Sequence, residues 1–514
     1  MMQNKEELNS QELEMYDEKE LKAIESHIEK FFGKYKNVLH EIVSPDIHVD
    51  IAVIEPTKKR NYYTLVTMGM GARKMNVPAQ YEEDKIDRAE LLITLPPDWD
   101  LKNIEDENNY WTLRWLKILA RLPIEHDTWL AGGHTVPNGE PFAENTKFCG
   151  MLVTMPYFFE EEAASCTLPN KDVVNFYQLQ PLHEDEMNYK ISSGVNSLMQ
   201  LFHLAFGDDW DGVVDITRKS VIETALGERR AALGNIVKEM EYPYIYEDLG
   251  RFLDSSHRYT EGVDLLTEAI ENNPDNVSLY AMRGELYMGM NKNREALDDF
   301  LHAITDVEAL DEYWYMEAIY DHIAHLYEMF FNDGESALKY YNLALECDEK
   351  DAYALGCIGD LHYYYLNQYQ KAVEYYNAAI EVESEEAAHY LKRADAYKAL
   401  NMKEECLKDY NAALQIFVEQ LADNPNDPCL NNHAGECLLG LGIYEDALRF
   451  LDKATANAGA CKSCPPKVCH EAYFAKCRYH AEIGEQSKAK EYLQMAIKGS
   501  NAVRYNQFKI APDK

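Results

Sequence analysis

The chain has 514 residues, too many for one hydrophobic core, so we expect two to four domains. Its formal net charge of −39 makes nucleic acid an unfavourable ligand, because an acidic surface repels phosphate backbones. The same charge favours basic partners, although it is equally consistent with solubility alone. The chain has no continuous apolar run long enough to span a membrane and no apolar targeting segment at its start. Since its eleven cysteines are scattered, we expect a cytoplasmic protein with reduced thiols and no membrane insertion.

Residues 1–32 have an acidic composition typical of an exposed helix, which we place at about Glu18 to Phe32. We interpret this segment as a solvated helix that leads into the following domain. The alternative interpretation is an amphipathic helix that binds a partner.

Residues 33–215 are predicted to form an α+β domain. Short runs of β-branched and aromatic residues, bounded by proline, glycine or charged turns, predict strands at 48–54, 62–68, 89–95, 148–154 and 173–179. Helices are predicted at 111–122, where large apolar side chains recur at helical spacing, and at 184–202. Because the strands and helices do not alternate regularly, we expect an α+β arrangement and not a doubly wound sheet.

Four collinear motifs in this region resemble the suppressor-of-fused domain: HEIVSPDIHVDI at 40–51, YYTLVTMGM at 62–70, AELLITLPPDW at 89–99 and WLAGGHTVPNGEPF at 129–142. The resemblance implies a binding module. In animals the family's domain sequesters a transcription factor in Hedgehog signalling, and in bacteria it often occurs in short proteins thought to give immunity against toxins. The carboxy-terminal half of this chain differs from the animal protein, so we expect a bacterial origin.

The motif at 129–142 is the predicted recognition loop of this domain. Two glycines allow a sharp turn after Trp129, and the run Pro-Asn-Gly at 137–139 is a second turn signal. A long loop of this composition over a sheet suits a recognition surface. We predict that a partner contacts Trp129, Gly133, His134 and Thr135.

His134 is the residue that most resembles a catalytic group. We consider a structural role in the loop, a contact with a ligand and acid–base catalysis, in decreasing order of preference. The sequence lacks a GxSxG elbow, an HExxH pair and a glycine-rich phosphate loop with its lysine. We therefore expect no catalytic residues and no enzymatic activity. An enzyme with a site near His134 is the alternative.

Residues 216–242 are predicted to form a helical linker or cap. The segment holds one of the denser basic patches of the chain, formed by Arg218, Lys219, Arg229 and Arg230. We expect it to join or cap the next domain and not to bind nucleic acid.

Residues 243–514 contain seven copies of one spacing. A small residue is followed about twelve positions later by Ala, Gly or Cys, then by an aromatic residue or Leu, and then by Ala. The small residues are Gly250, Gly284, Ala324, Gly359, Ala394, Gly435 and Cys477. The pattern resembles the tetratricopeptide repeat, a pair of antiparallel helices in which small residues permit close contact. We predict an all-α solenoid of about seven helical hairpins, with an unrelated helical bundle as the alternative.

The ninth position of each first helix usually faces the concave groove of such a solenoid. These positions hold Arg251, Glu285, His325, Asp360, Asp395, Glu436 and Arg478. One hypothesis is that the four acids, Glu285, Asp360, Asp395 and Glu436, bind a basic or helical peptide; the other is that acid is simply common in this chain. The groove lacks the Lys/Arg clamp of chaperone adaptors that capture a terminal carboxylate, which argues against that function.

The run CKSCPPKVCH at 461–470 has the CxxC spacing of a zinc knuckle. Zinc could be held by Cys461, Cys464, Cys469 and His470. A disulfide and ordinary loop thiols are the alternatives, and we expect no other cofactor.

These features together predict a non-enzymatic adaptor that binds a protein partner of basic character. The preferred function, implied by the family resemblance, is an immunity-type protein that sequesters a cognate toxin or effector. The alternative among binding proteins is an intracellular regulatory scaffold whose groove binds a basic or helical peptide. The sequence leaves the partner's identity and the oligomeric state open.

Overall fold

The computed structural model describes residues 14–42, 44, 46–103, 105–207, 210–234, 244–307, 310, 316–458 and 470–498. Two compact units make up the chain, Met1–Ser256 and His257–Lys514. Among the described residues, none of the helices combines the length and the apolar character needed to span a membrane.

The first unit is built on one sheet with helices on its faces. Its strands are β1 (Asn37–Leu39), β2 (Asp50–Ile54), β3 (Tyr63–Met68), β4 (Ala89–Leu95), β5 (Thr135–Pro137), β6 (Gly150–Thr154), β7 (Ser165–Thr167) and β8 (Val173–Leu182). Its helices are α1 (Glu18–Phe31), α2 (Glu107–Glu125), α3 (Glu184–Phe206), α4 (Val221–Leu226) and α5 (Ile245–Ser255). Short 3-10 turns cover Met70–Ala72, Ala79–Asp84, Glu161–Ala164 and Arg230–Ala232.

The strand order of the sheet is β1-β2-β3-β4-β8-β6-β5, and β7 also pairs with β8. Neighbouring strands are antiparallel except β4 and β8, which run parallel with Leu91 opposite Tyr177. The α+β class predicted from the sequence is therefore confirmed. The strands and helices predicted between residues 18 and 202 are present, whereas the three-residue strands β1, β5 and β7 were not predicted, because a run of three carries too little periodicity. Of the helical linker predicted at 216–242, residues 221–226 form α4, and residues 235–242 lie outside the described residues.

Both faces of the sheet are covered by apolar side chains. Leu91 and Ile93 of β4 pack in one core with Trp111 and Leu116 of α2. Leu92 points to the opposite face, in a second core that contains Ile24 and Ile28 of α1. A strand buried on both faces reads as a continuous apolar run, and this accounts for the sequence AELLITL at 89–95.

One carboxylate lies inside this sheet. Glu90 is fully buried, and its side chain accepts hydrogen bonds from Tyr16 Oη (2.8 Å), Thr67 Oγ1 (2.6 Å) and the backbone N–H of Gly69 (2.8 Å). Gly69 has φ +135°, and a Cβ there would lie 1.8 Å from the carbonyl oxygen of His48. Glu90 therefore ties the chain before α1 and the turn after β3 to the same point of the sheet.

A buried ion pair holds the segment after α3 against the rest of the first unit. Arg218 donates to both carboxylate oxygens of Glu186, at 2.5 and 2.7 Å, and their side chains are 5% and 0% exposed. The guanidinium lies between the rings of Phe148 and Phe202, at 4.7 and 5.1 Å from their centroids. One member of the basic patch at 216–242, Arg218, is thus an internal residue of the sheet domain.

The second unit consists of helices. They are α6 (Tyr259–Asn272), α7 (Val277–Gly289), α8 (Asn293–Ala303), α9 (Met316–Met329), α10 (Gly334–Cys347), α11 (Ala352–Asp360), α12 (Tyr369–Val382), α13 (Ala387–Ala399), α14 (Lys403–Asp423), α15 (Pro428–Gly440), α16 (Tyr444–Ala456), α17 (His470–Glu482) and α18 (Gln486–Ile497). A π-helical turn, Leu361–Tyr365, follows α11.

Consecutive helices from α7 to α18 pack as hairpins, as the repeat spacing predicts. The small residues are needed at the hairpin contacts: a Cβ on Gly359 of α11 would lie 2.6 Å from the ring of Tyr376 on α12. The recurrent alanine of the second helix, such as Ala344 or Ala379, is fully buried. Close approach of the two backbones leaves no room for larger side chains at these positions.

Candidate functional site

An open cavity of about 550 Å³ lies in the first unit, beside the predicted recognition loop. Three of the four predicted contact residues of this loop, Trp129, Gly133 and His134, line it. Thr135 does not line it and begins β5 instead. The other lining side chains are mainly aromatic or aliphatic, among them Tyr81, Met155, Tyr157, Tyr177, Val195 and Met199.

Backbone hydrogen bonds fix the loop against β6. Gly133 N donates to Val153 O (2.8 Å), and Val153 N donates to His134 O (2.9 Å). Gly133 has φ +89°, in the left-handed region that favours glycine. The sequence motif Gly-Gly-His thus turns the chain at the cavity wall and presents the His134 side chain there.

The rings of Tyr81, Trp129 and His134 form a series along the cavity. The centroids of Trp129 and His134 lie 5.3 Å apart in an edge-to-face arrangement, and those of Tyr81 and Trp129 lie 6.3 Å apart. Tyr81 and Tyr157 are exposed, whereas Tyr177 is buried. Exposed tyrosine rings beside a buried one offer apolar contact area, and their hydroxyl groups add polar tips. Such a surface suits a side chain of a binding partner.

His134 has the environment of a neutral imidazole. Burial lowers the pKa of His134, the nearby positive charge of Lys190 lowers it further, and a hydrogen bond with the Trp129 backbone partly opposes this. The ring is therefore neutral at pH 7, with one nitrogen able to donate and the other able to accept. Among the described residues, no carboxylate orients this ring as a general base would require.

A break in α3 brings further residues to the cavity. Gly194 has φ 88° and ψ 167°, so the backbone leaves the helical conformation there and resumes it at Val195. Val195, Asn196 and Met199, all after the break, line the cavity. The sequence predicts a continuous helix here; the signal that it is broken is the run Ser-Ser-Gly at 192–194.

The acidic ninth positions of the second unit are engaged with other side chains. Asp360 accepts from Lys392 Nζ (2.6 Å) and Tyr376 Oη (2.7 Å). Glu285 lies 3.5 Å from His322 Nε2. These acids lie where the sequence places them, but they already have partners within the protein.

Asp395 and Glu436 share one cation. Arg478, itself a ninth-position residue, reaches Asp395 Oδ1 at 3.5 Å and Glu436 Oε1 at 3.3 Å, and Tyr410 also donates to Asp395. The three charged residues come from α13, α15 and α17, so their ninth positions converge. This end of the helical array is less acidic than the sequence pattern indicates, and binding of a partner by these acids stays a prediction.

The proposed zinc ligands Cys461, Cys464 and Cys469 lie outside the described residues. His470 begins α17 and is buried. In the described parts of the chain, no group of three or more His, Cys, Asp or Glu side chains is arranged to hold a metal ion. Zinc binding by this run also stays a prediction.

Comparison with known proteins supports both halves of this description. Residues 45–219 match the family model of the suppressor of fused protein, and residues 361–405 and 407–462 match tetratricopeptide-repeat models. An uncharacterized protein of Ureaplasma parvum serovar 3 is 28% identical over 211 residues, which are 40% of this chain and 98% of that protein.

Solved structures similar to the chain include a tetratricopeptide repeat protein from Parabacteroides merdae, with 20% identity and a TM-score of 0.38 over 51% of this chain and 96% of that one. Another is YrrB, described as a repeat protein with an unusual peptide-binding site, with 19% identity and a TM-score of 0.31 over 36% of this chain and 90% of that one. The family matches therefore assign a suppressor-of-fused domain to residues 45–219 and tetratricopeptide repeats to residues 361–462 of this chain.

Proposed function

We propose that this protein is a non-enzymatic adaptor that sequesters a protein partner through the aromatic cavity of its suppressor-of-fused domain. The observation that supports this most is the convergence of Trp129, Gly133 and His134 on one open cavity of about 550 Å³. Binding energy at protein interfaces concentrates where an anchoring side chain fills a pocket with aromatic walls. The neutral His134 adds a hydrogen-bonding group without adding charge.

The partner that we favour is a cognate toxin or effector of basic character, which the protein would neutralise in the cytoplasm of a bacterium. The net charge of −39 supports a basic partner, since opposite charges accelerate association and oppose binding of acidic competitors. The match to a Ureaplasma protein over 40% of the chain supports a bacterial setting. Free thiols occur at Cys149, Cys166, Cys347, Cys357, Cys406, Cys437 and Cys477, in keeping with a reducing compartment.

Capture of a partner by cavity variants tests this proposal. The tagged full chain is purified from its native cells, and the captured proteins are compared between the native chain, Tyr81→Ala and Tyr444→Ala. Tyr81 lines the cavity and is 39% exposed, whereas Tyr444 is 38% exposed and lies in the other unit, so it is a matched control. We expect a basic protein that Tyr81→Ala loses and Tyr444→Ala retains.

The captured protein is then expressed alone and together with the native chain. Growth arrest by the captured protein, relieved by the native chain but not by Tyr81→Ala, would support immunity. Capture without any effect on growth would instead favour a regulatory scaffold. A captured set that is identical for the two tyrosine variants would contradict binding at the cavity.

A further inference from the structure

A second cavity, of about 540 Å³, lies within the helical unit. It is formed where α9, α11 and α13 begin, so three consecutive hairpins contribute to it. None of the four acidic ninth-position residues lines it. The cavity therefore lies at a different position on the helical unit from the groove that the ninth-position residues indicated.

Carboxylates dominate the lining of this cavity, which we name the acidic cleft. Its six acids are Glu317, Asp321, Asp348, Asp351, Glu383 and Glu386. Two lysines also line it, but Lys392 is already paired with Asp360 at 2.6 Å. The cleft thus carries a strong negative charge, and low-dielectric walls concentrate such a field.

Two of these carboxylates face each other without a cation between them. Asp351 Oδ1 accepts from Ala354 N (3.0 Å) and caps α11, which leaves Asp351 Oδ2 for another partner. Asp351 Oδ2 and Asp321 Oδ1 are both inaccessible to solvent, and no other donor among the described residues reaches either of them, so the two carboxyl groups are joined only by the proton that Asp321 holds. Burial, followed by the charge of Asp351, raises the pKa of Asp321 to about 8. A positive group between the two would satisfy both oxygens.

One buried ring in the cleft has a nitrogen without a partner among the described residues. His389 lines the cleft and is only 6% exposed, and its Nδ1 has no hydrogen-bond partner among the described residues. Burial, and then the charge of Lys392, lowers the pKa of this ring, so it is neutral and adds no repulsion to an incoming cation. Buried polar atoms are normally satisfied, so the unpaired His389 Nδ1, beside two carboxyl groups joined only by a proton, points to a missing ligand.

The chemistry of the cleft selects among ligand classes. Its charge excludes anions. Among the described residues, no three His, Cys, Asp or Glu side chains are placed to hold a metal ion, so the cleft lacks a donor set for one small cation. An ammonium or guanidinium group presents several N–H donors spread over a larger volume, and therefore can reach Asp321 and Asp351 together.

We propose that the acidic cleft binds a Lys or Arg side chain on a segment of a protein partner. The volume is larger than one such side chain needs, which leaves room for the backbone that carries it. Asp348, Glu383 and Glu386 are exposed around the cleft and would receive further basic residues of the same segment. The proposal rests on the adaptor function above and adds a second contact region to it.

Binding of a fluorescein-labelled peptide of alternating Lys and Gly to the full chain, measured by fluorescence anisotropy, tests the proposal. The cleft variant is Asp321→Asn with Asp351→Asn, because Asn also caps helices well and preserves the start of α11. The control variant is Asp298→Asn with Asp423→Asn, which removes the same charge from exposed positions outside the cleft. A peptide of alternating Glu and Gly, and free spermine, complete the set of probes.

We expect the Lys peptide to bind, and the cleft variant to weaken it about tenfold or more while the control variant changes it less than about twofold. The cleft variant relieves a repulsion, so its thermal midpoint should be no lower than that of the native chain. Absence of Lys-peptide binding, equal weakening in both variants, or equal binding of the Glu peptide would overturn the proposal. Tighter binding of spermine would assign the cleft to a small polyamine instead. None of these results alters the capture test at the Tyr81 cavity, so the two proposals fail separately.

Discussion

Arg393 and Asp409 form a two-point ion pair that closes one hairpin of the array. Arg393 Nε donates to Asp409 Oδ2 (2.6 Å) and Nη2 donates to Asp409 Oδ1 (2.9 Å), joining α13 to α14. The third nitrogen, Nη1, donates to Asn377 of the preceding hairpin (2.7 Å). The same guanidinium lies 5.4 Å from the ring of Tyr390 and 5.8 Å from that of Tyr397. One side chain therefore connects two consecutive hairpins.

This arrangement recurs three hairpins earlier. Arg283 donates to both oxygens of Asp299 at 2.8 Å and to Thr267 Oγ1 at 3.1 Å, between Tyr280 and Tyr287. In both places the sequence reads Tyr-x-x-Arg-x-x-x-Tyr, with the aspartate sixteen residues after the arginine. In both places the two tyrosine rings flank the charged guanidinium.

Replacement of Arg393 by Ala should destabilise the helical unit. Asp409 is 3% exposed, so the variant leaves a buried carboxylate without its cation, at a cost of about 3 kcal/mol. Chemical denaturation of the full chain followed by helical circular dichroism measures the change. Arg449→Ala is the control, because its pair with Asp446 is mostly exposed, and we expect less than about 0.5 kcal/mol there. Equal losses for the two variants would contradict the assigned role of Arg393.

Replacement of Arg218 by Ala should lower the free energy of unfolding of the sheet domain. Glu186 is fully buried and keeps its charge in the native chain through Arg218, so we expect a loss of about 3–5 kcal/mol. Five of the six tryptophans lie in the first unit, at 99, 111, 115, 129 and 210, so tryptophan fluorescence reports mainly on it. Lys219→Ala is the control, since the ion pair of Lys219 with Glu228 is exposed. The unfolding midpoint followed by tryptophan fluorescence is compared between the two variants. If the midpoint of Arg218→Ala equalled that of Lys219→Ala within error, the prediction would be refuted.

The facing carboxyl groups predict a pH dependence of the helical unit. The pKa of Asp321 is raised from 3.8 to about 8 by burial, then by the charges of Asp351 and Glu317. The folded state therefore holds a proton that the unfolded chain releases near its ordinary pKa, and stability from this group falls as the pH rises towards about 8.

Thermal midpoints of the native chain and Asp321→Asn, measured at steps between pH 5 and pH 8, check this prediction. The native midpoint should decrease over the interval, and the decrease should be smaller in the variant. Glu335→Asn serves as a control, because this side chain lies outside the cleft. Parallel curves for the native chain and Asp321→Asn would show that Asp321 does not titrate in this range.

Removal of the Tyr16 hydroxyl should loosen the start of the first unit. Tyr16 Oη donates to the buried Glu90 (2.8 Å), so Tyr16→Phe removes one of the groups that satisfy this carboxylate, at a cost of about 1–2 kcal/mol. Hydrogen exchange of α1 in the full chain should become faster. Tyr157→Phe is the control, since that ring is 63% exposed. Unchanged exchange in α1 would show that Tyr16 does not anchor it.

The sequence by itself determined the elements whose residues are close neighbours along the chain. Gly359 and Ala379 belong to one repeat, and their spacing predicts a hairpin because helical geometry relates nearby residues directly. The short runs of β-branched, aromatic and aliphatic residues around Leu65 and Leu91 predict strands for the same reason. The turn between Trp129 and His134 was also predicted this way, since turn signals are local, and contact of these residues with a partner stays a prediction.

Only the tertiary structure decided which distant residues meet. Arg478 reaches Asp395 across 83 residues, and Asp321 meets the cap of a helix in the next hairpin. Val195 lines the cavity because the backbone of α3 leaves the helical conformation at Gly194. Such contacts depend on how whole helices and strands pack against one another. The residue spacing within one helix or strand does not indicate which distant residue it will contact.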